Sequence, residues 1–106
     1  PLREKQILLI GSGSITHDLR ELSWNGDNNN VPEWASTFRN YVVNKLTHSD
    51  YDAILDWSNI PFVQRNHPTI EHFAPLFFAM GTGTRFSVVH SSFSMGALGM
   101  DMYRFD

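Results

Sequence analysis

Gln6, Ile7, Leu8, Leu9 and Ile10 form a short apolar run closed by Gly11, Ser12, Gly13 and Ser14. A run apolar on both faces predicts a central strand covered by helices on both sides. Residues 15–22 read as a short helix or irregular segment. Residues 23–32 hold Gly26, Asn28, Asn29 and Asn30, which predicts a surface loop. Pro32 suits a helix start and Glu33 suits its first turn. Trp34, Phe38, Tyr41 and Lys45 then follow helical spacing, with Ala35, Val42 and Leu46 beside them. That is the pattern of an amphipathic helix.

Residues 50–57 predict a second, shorter helix with Tyr51, Ile54 and Leu55 on one side. Residues 59–67 are irregular, because Pro61 and Pro68 punctuate them. Residues 69–80 are apolar nearly all round, which predicts a buried helix. Pro75 requires that this helix begin nearer His72 or kink. Residues 81–84 form a turn. Phe86, Val88 and His90 alternate with Ser87, Val89 and Ser91, as in a strand. Leu98, Met100 and Met102 alternate with Gly99, Asp101 and Tyr103, as in another. Phe93, Ser94, Met95 and Gly96 could close a hairpin between the two. The order strand, helices, strand, strand implies an α/β or α+β layered fold. No repeat, linker or second domain interrupts it.

The 106 residues set an expectation of a single unit, 1–106. With 42% apolar and 18% charged residues, the chain is not of the disordered class. Its net charge of −3 comes with scattered basic residues, so no stripe fits a phosphate backbone and no nucleic-acid partner is expected. The chain has no cysteine, which excludes disulfides and thiolate metal sites within it and fits a reducing, cytoplasmic setting. No apolar run approaches the ~18 residues of a membrane span, and no signal peptide opens the chain. The start at Pro1 without Met, with apolar residues following almost at once, reads as a piece of a longer protein; a trimmed leader is the alternative.

Two places carry candidate chemistry. Gly11-Ser12-Gly13-Ser14-Ile15-Thr16 invites comparison with G-x-G-x-x-G, but Thr16 replaces the third glycine and no P-loop lysine follows. His17 lies just beyond the predicted strand, in the zone where α/β sheets place their sites; a structural histidine is the plainer reading. Small residues there let backbone approach a ligand closely. The second place is His67-Pro68-Thr69-Ile70-Glu71-His72, whose side chains are of the types that bind Zn or Fe(II). On a regular helix residues five apart point about 140° apart, so His67 and His72 converge only through the extended backbone before Pro68. His72, opening an apolar helix, is expected to be buried and to need a partner. His90 reads as a hydrogen-bonded sheet histidine, and His48 as a partner of a helix C-terminus. Met80, Met95, Met100 and Met102 read as core or strand filler. Residues alone give half a mononuclear metal site, with no clear third ligand.

The segment Ile10-Gly11-Ser12-Gly13-Ser14-Ile15-Thr16-His17-Asp18-Leu19 resembles the stretch around the active-site histidine of the class III extradiol ring-cleavage dioxygenases of the DOPA-dioxygenase type. His67-Pro68-Thr69-Ile70-Glu71-His72-Phe73-Ala74-Pro75-Leu76, with Ala79-Met80-Gly81, resembles the family's second C-terminal signature. Ser94-Met95-Gly96-Ala97-Leu98-Gly99-Met100 resembles its last strand, and Trp34-Ala35 with Phe38 also fits.

The resemblance covers nearly all of this chain but only the C-terminal part of the family's. It implies an α/β fold, part of a three-layer α/β/α sandwich with a mixed sheet, in which residues 1–106 are the C-terminal portion of a larger catalytic domain. It implies a non-haem Fe(II) enzyme, with Zn(II) as the alternative occupant, that opens a catechol ring such as that of DOPA with O₂. His72 matches the C-terminal metal ligand. His17 matches the histidine beside the metal that serves as acid/base and can itself touch the metal. Related enzymes use a carboxylate as third ligand, so Glu71 is a rival to His72. Two further histidine ligands belong to the family's N-terminal portion, which makes that portion the implied partner and this chain inactive alone. Trp24, Phe73 and Phe93 are candidates for the walls of the ring pocket. A zinc hydrolase on the same scaffold and a non-catalytic assembly fragment are the alternatives.

Overall fold

A computed structural model describes residues 2–24 and 30–106. Residues 25–29 of the loop expected over 23–32 lie outside the described residues. The elements run from a 3₁₀ turn at Arg3–Lys5 through another at Leu19–Glu21 to helices α1 (Glu33–Thr47), α2 (Tyr51–Leu55), α3 (Val63–Asn66) and α4 (Ala74–Met80). Strands β1 (Phe86–His90), β2 (Phe93–Ser94), β3 (Leu98–Gly99) and β4 (Met102–Phe105) follow. The fold is α/β.

Helix α1 begins where the sequence places it. The Pro32 carbonyl accepts from the amides of Ala35 and Ser36 at 3.1 Å each. Its buried stripe is Ala35, Phe38, Val42 and Leu46, with Trp34 and Tyr41 half-buried at the flanks. The helix ends at His48, whose Nδ1 lies 2.8 Å from the Asn44 carbonyl oxygen, as a C-terminal partner should. Asp50 caps α2 through the Ala53 amide at 3.3 Å. The core joins the α1 stripe to Ile54, Ile60, Val63, Phe73, Met80 and Phe105.

The strands form one long, interrupted hairpin. β1 pairs antiparallel with β4, in the register Ser87 to Arg104 and Val88 to Tyr103. β2 pairs with β3 around a turn in which Met95 and Gly96 both take positive φ, 52° and 80°. The expected strand over 98–103 is split, because the Asp101 side chain turns inward and its Oδ1 accepts the Ser92 amide at 3.2 Å.

Four expectations change. Residues 6–10 are not a strand: among the described residues they have no strand partner, and Leu8 and Ile10 face solvent. All strand pairing among the described residues is antiparallel, so the parallel partners of a mixed sheet are not among them. Helix α4 starts at Ala74 with Pro75 in its first turn, where a missing N–H costs nothing; it buries Met80 but leaves Phe78 exposed. Met100 and Met102 are exposed as well: Met102 is a strand residue of β4, whereas Met100 is neither core nor strand filler.

Candidate functional site

The segment after residue 10 is pinned by backbone and small hydroxyls. Thr16 is fully buried; its Oγ1 donates to the Ala97 carbonyl and accepts from the Gly99 amide, both at 2.6 Å. Ser14 Oγ shares its one hydrogen between the Thr16 carbonyl at 2.8 Å and the Gly99 carbonyl at 3.1 Å. These bonds tie the segment to β3. On its other side the Ser14 amide donates to the His72 carbonyl at 2.9 Å, and the His17 amide donates to the Asn66 carbonyl at 2.8 Å. Asn66 is itself buried, its Nδ2 donating to the carbonyls of Trp34 and Phe62.

Glycine is needed for this closeness. A Cβ at Gly13 would collide with the His72 carbonyl oxygen, and one at Gly11 with that of Pro75. The glycine-serine stretch therefore lets the chain approach the entry of α4, rather than cradling a phosphate.

The result is that His17 and His72, 55 positions apart, stack with ring centroids 3.5 Å apart and planes 13° apart. His17 is half-buried. His72 is exposed, not buried as the apolar character of α4 had suggested, because the helix begins after it. Both rings line an open cleft of about 520 Å³ whose far wall is Leu98 to Asp101.

His67 goes elsewhere. It is buried, with Nε2 2.8 Å from the Ile15 carbonyl oxygen and its ring stacked on Phe73 at 4.9 Å. Burial lowers its pKa to about 4, so the ring is neutral and Nε2 carries the hydrogen. Glu71 is exposed and accepts from the Thr69 hydroxyl at 2.7 Å, which holds its carboxyl below the usual range. Of the aromatic candidates, Phe73 is in the core, Trp24 is exposed, and none of Trp24, Phe73 and Phe93 lines the cleft. His90 sits on β1 with its Nε2 2.8 Å from Ser92 Oγ.

Three supporting residues were missed. The Asp101 side chain is fully buried under the cleft wall; its Oδ2 accepts from Arg39 Nε and from the Tyr103 hydroxyl, both at 2.8 Å. Burial and this carboxylate push the Tyr103 hydroxyl above its ordinary pKa. The sequence held no local signal for this trio: Asp101 falls on the polar side of the expected alternation, and its partner Arg39 lies 62 positions away.

Imidazole is the right donor type for a zinc or ferrous ion. Ring-nitrogen lone pairs lie in the ring plane, and these two planes are nearly parallel. An ion in the plane of one ring therefore stands off the plane of the other. As arranged, the pair offers one metal ligand with a second imidazole beside it. Among the described residues no group of three or more His, Cys, Asp or Glu could hold a metal. These residues fit part of a metal site.

The family described as the catalytic LigB subunit of aromatic ring-opening dioxygenase matches residues 1–106. A 4,5-DOPA dioxygenase extradiol from Beta vulgaris is 31% identical over 109 residues, covering 99% of this chain and 40% of that protein. One from Escherichia coli (strain K12) is 32% identical over 83 residues, covering 76% of this chain and 30% of that protein. The crystal structure of an uncharacterized protein from Escherichia coli K12 matches with a TM-score of 0.88 at 28% identity, over 99% of this chain and 45% of that one. The chain thus spans less than half the length of these relatives.

Proposed function

Since this chain belongs to the family of the catalytic LigB subunit of aromatic ring-opening dioxygenases, we propose that residues 1–106 are the C-terminal portion of a larger catalytic domain. That domain is a non-haem Fe(II) extradiol dioxygenase, with Zn(II) as the alternative occupant, that opens the ring of a DOPA-like catechol with O₂. The observation that carries this reading is the stacked His17–His72 pair on the wall of an open cleft.

In this reading His72 is the metal ligand contributed by this chain. When bound, the ion supplies Lewis acidity toward the catechol diol and redox chemistry toward O₂. His17 takes a proton from the diol and returns it as the ring opens. Imidazole suits this, because its ordinary pKa lies near working pH. The Asn66 carbonyl fixes the His17 backbone, and the stack fixes its ring against His72. The remaining ligands come from the portion of the protein outside this chain, so residues 1–106 alone are inactive.

The test is turnover by the complete protein with Fe(II), O₂ and DOPA. A ring-opened yellow product with matched O₂ uptake is expected. His17→Ala should lower kcat by roughly 10²–10⁴-fold, the ordinary worth of a general acid/base. Absent O₂ uptake overturns the reaction, and unchanged kcat in His17→Ala overturns the role of that residue.

A further inference from the structure

The unpaired segment and the free edge of β4 face one another across a gap. Among the described residues, no backbone–backbone hydrogen bond engages residues 8–13, although Leu8, Ile10, Gly11, Ser12 and Gly13 line a groove together with β4. The other side of the gap follows from the register of β4. Arg85 and Asp106 exchange both backbone hydrogen bonds at 2.9 Å. Bonded and non-bonded pairs alternate in an antiparallel ladder. Ser87 with Arg104 is then the next bonded pair, while Phe86 with Phe105 and Val88 with Tyr103 are non-bonded. The N–H and C=O groups of Tyr103 and Phe105 therefore point away from β1. Two grooves of about 420 and 510 Å³ open there, both lined by Leu8, Tyr103 and Phe105. Pro75, Leu76 and Ala79 of α4 also line the larger one.

We propose that the slot between residues 7–13 and β4 receives one apolar β-strand, contributed by the part of the polypeptide that the relatives possess beyond this chain. This inference rests on the larger-domain reading above. Two backbones with free hydrogen-bonding groups line the slot, so its occupant is an extended strand; a helix uses its own groups internally and would satisfy neither wall. Its side chains are apolar on both faces. One face meets Leu76 and Ala79, and the other lies level with Leu8 and Met102, which are 82% and 59% exposed. A second copy of this chain pairing through residues 7–13 would satisfy that wall and leave β4 open. An inserted strand satisfies both. The relatives offer ample chain for it, since this sequence covers 40% of the Beta vulgaris protein.

Amide hydrogen exchange on the complete polypeptide, with native mass spectrometry on the same sample, tests this. The amides of Tyr103 and Phe105, and alternate amides within residues 8–13, should exchange as slowly as that of Arg104, on the order of 100-fold or more below exposed turn amides. A longer polypeptide in which Tyr103 and Phe105 exchange like the exposed Thr69 amide overturns the slot and leaves the larger-domain reading standing. A monomer of 12.1 kDa with the slot amides open overturns the larger-domain reading and the proposal with it. A dimer of that chain with residues 8–13 protected overturns the occupant and assigns the slot to a second copy.

Discussion

At the scale of single residues, the histidines divide by what their nitrogens meet. His17 and His72 face a cleft, whereas His67 faces the core, where its Nε2 donates to Ile15 and its Nδ1 is buried without a partner. Protonating Nδ1 would bury an N–H with no acceptor, the physical content of a pKa lowered to about 4. In the unfolded chain the ring keeps the ordinary value of about 6.5. Above that, neither state binds the proton and His67 imposes no pH dependence. As pH falls from 6.5 toward 4, the unfolded state takes up the proton first, so stability falls, levelling off once the folded state protonates too. The full loss is on the order of 3 kcal/mol. Urea midpoints between pH 7.5 and 4.5 should therefore drop more steeply in the wild type than in His67→Gln, whose amide can still donate to Ile15. Parallel slopes in the two proteins would contradict this. The sequence marked all three histidines but could not divide them. The division depends on where Ile15 lies, 52 positions from His67, and on α4 beginning two residues after His72.

Among elements, legibility follows the range of the interactions that define them. Helix α1 is set by its own periodicity and ends, and the sequence located it. The hairpin was legible as two alternating runs, but its interruption was not. The break at Asp101 depends on Arg39, an α1 residue 62 positions away. The role of Thr16 was hidden for the same reason: its hydroxyl joins the histidine-bearing segment to β3 across 81 and 83 positions. Replacing it with the near-isosteric valine keeps the volume but leaves the Gly99 amide and the Ala97 carbonyl buried without that partner. Each such group costs about 1–3 kcal/mol. Thr16→Val should then lose about 2–4 kcal/mol of unfolding free energy by denaturant titration, and Thr16→Ser should recover most of it. A valine variant within 0.5 kcal/mol of wild type, the ordinary range for a neutral surface change, would show that the two elements are joined by packing alone.

For the whole molecule, the mismatch between pattern and exposure points outward. The radius of gyration is 14.0 Å, against about 13 Å for a compact chain of 100 residues. The sequence pattern of residues 6–10 is that of a strand covered on both faces, yet Leu8 and Ile10 are 82% and 75% exposed. The pattern was legible; the partner strands that would satisfy it are not among the described residues. Leu8 makes the consequence measurable. A side chain that exposed contributes little, and Leu8→Ala in this environment should change stability by no more than about 0.5 kcal/mol. Covered by an inserted strand and the layer above it, the same truncation removes a buried isobutyl group and costs about 2–5 kcal/mol. Denaturant titration of the complete protein should give the larger loss. Leu55→Ala, at a 60% exposed position in α2 away from the slot, is the control and should stay within about 0.5 kcal/mol. Equal, small losses at both positions would mean that Leu8 faces solvent in the complete protein too, and that the two-sided apolar pattern of residues 6–10 has some origin other than burial.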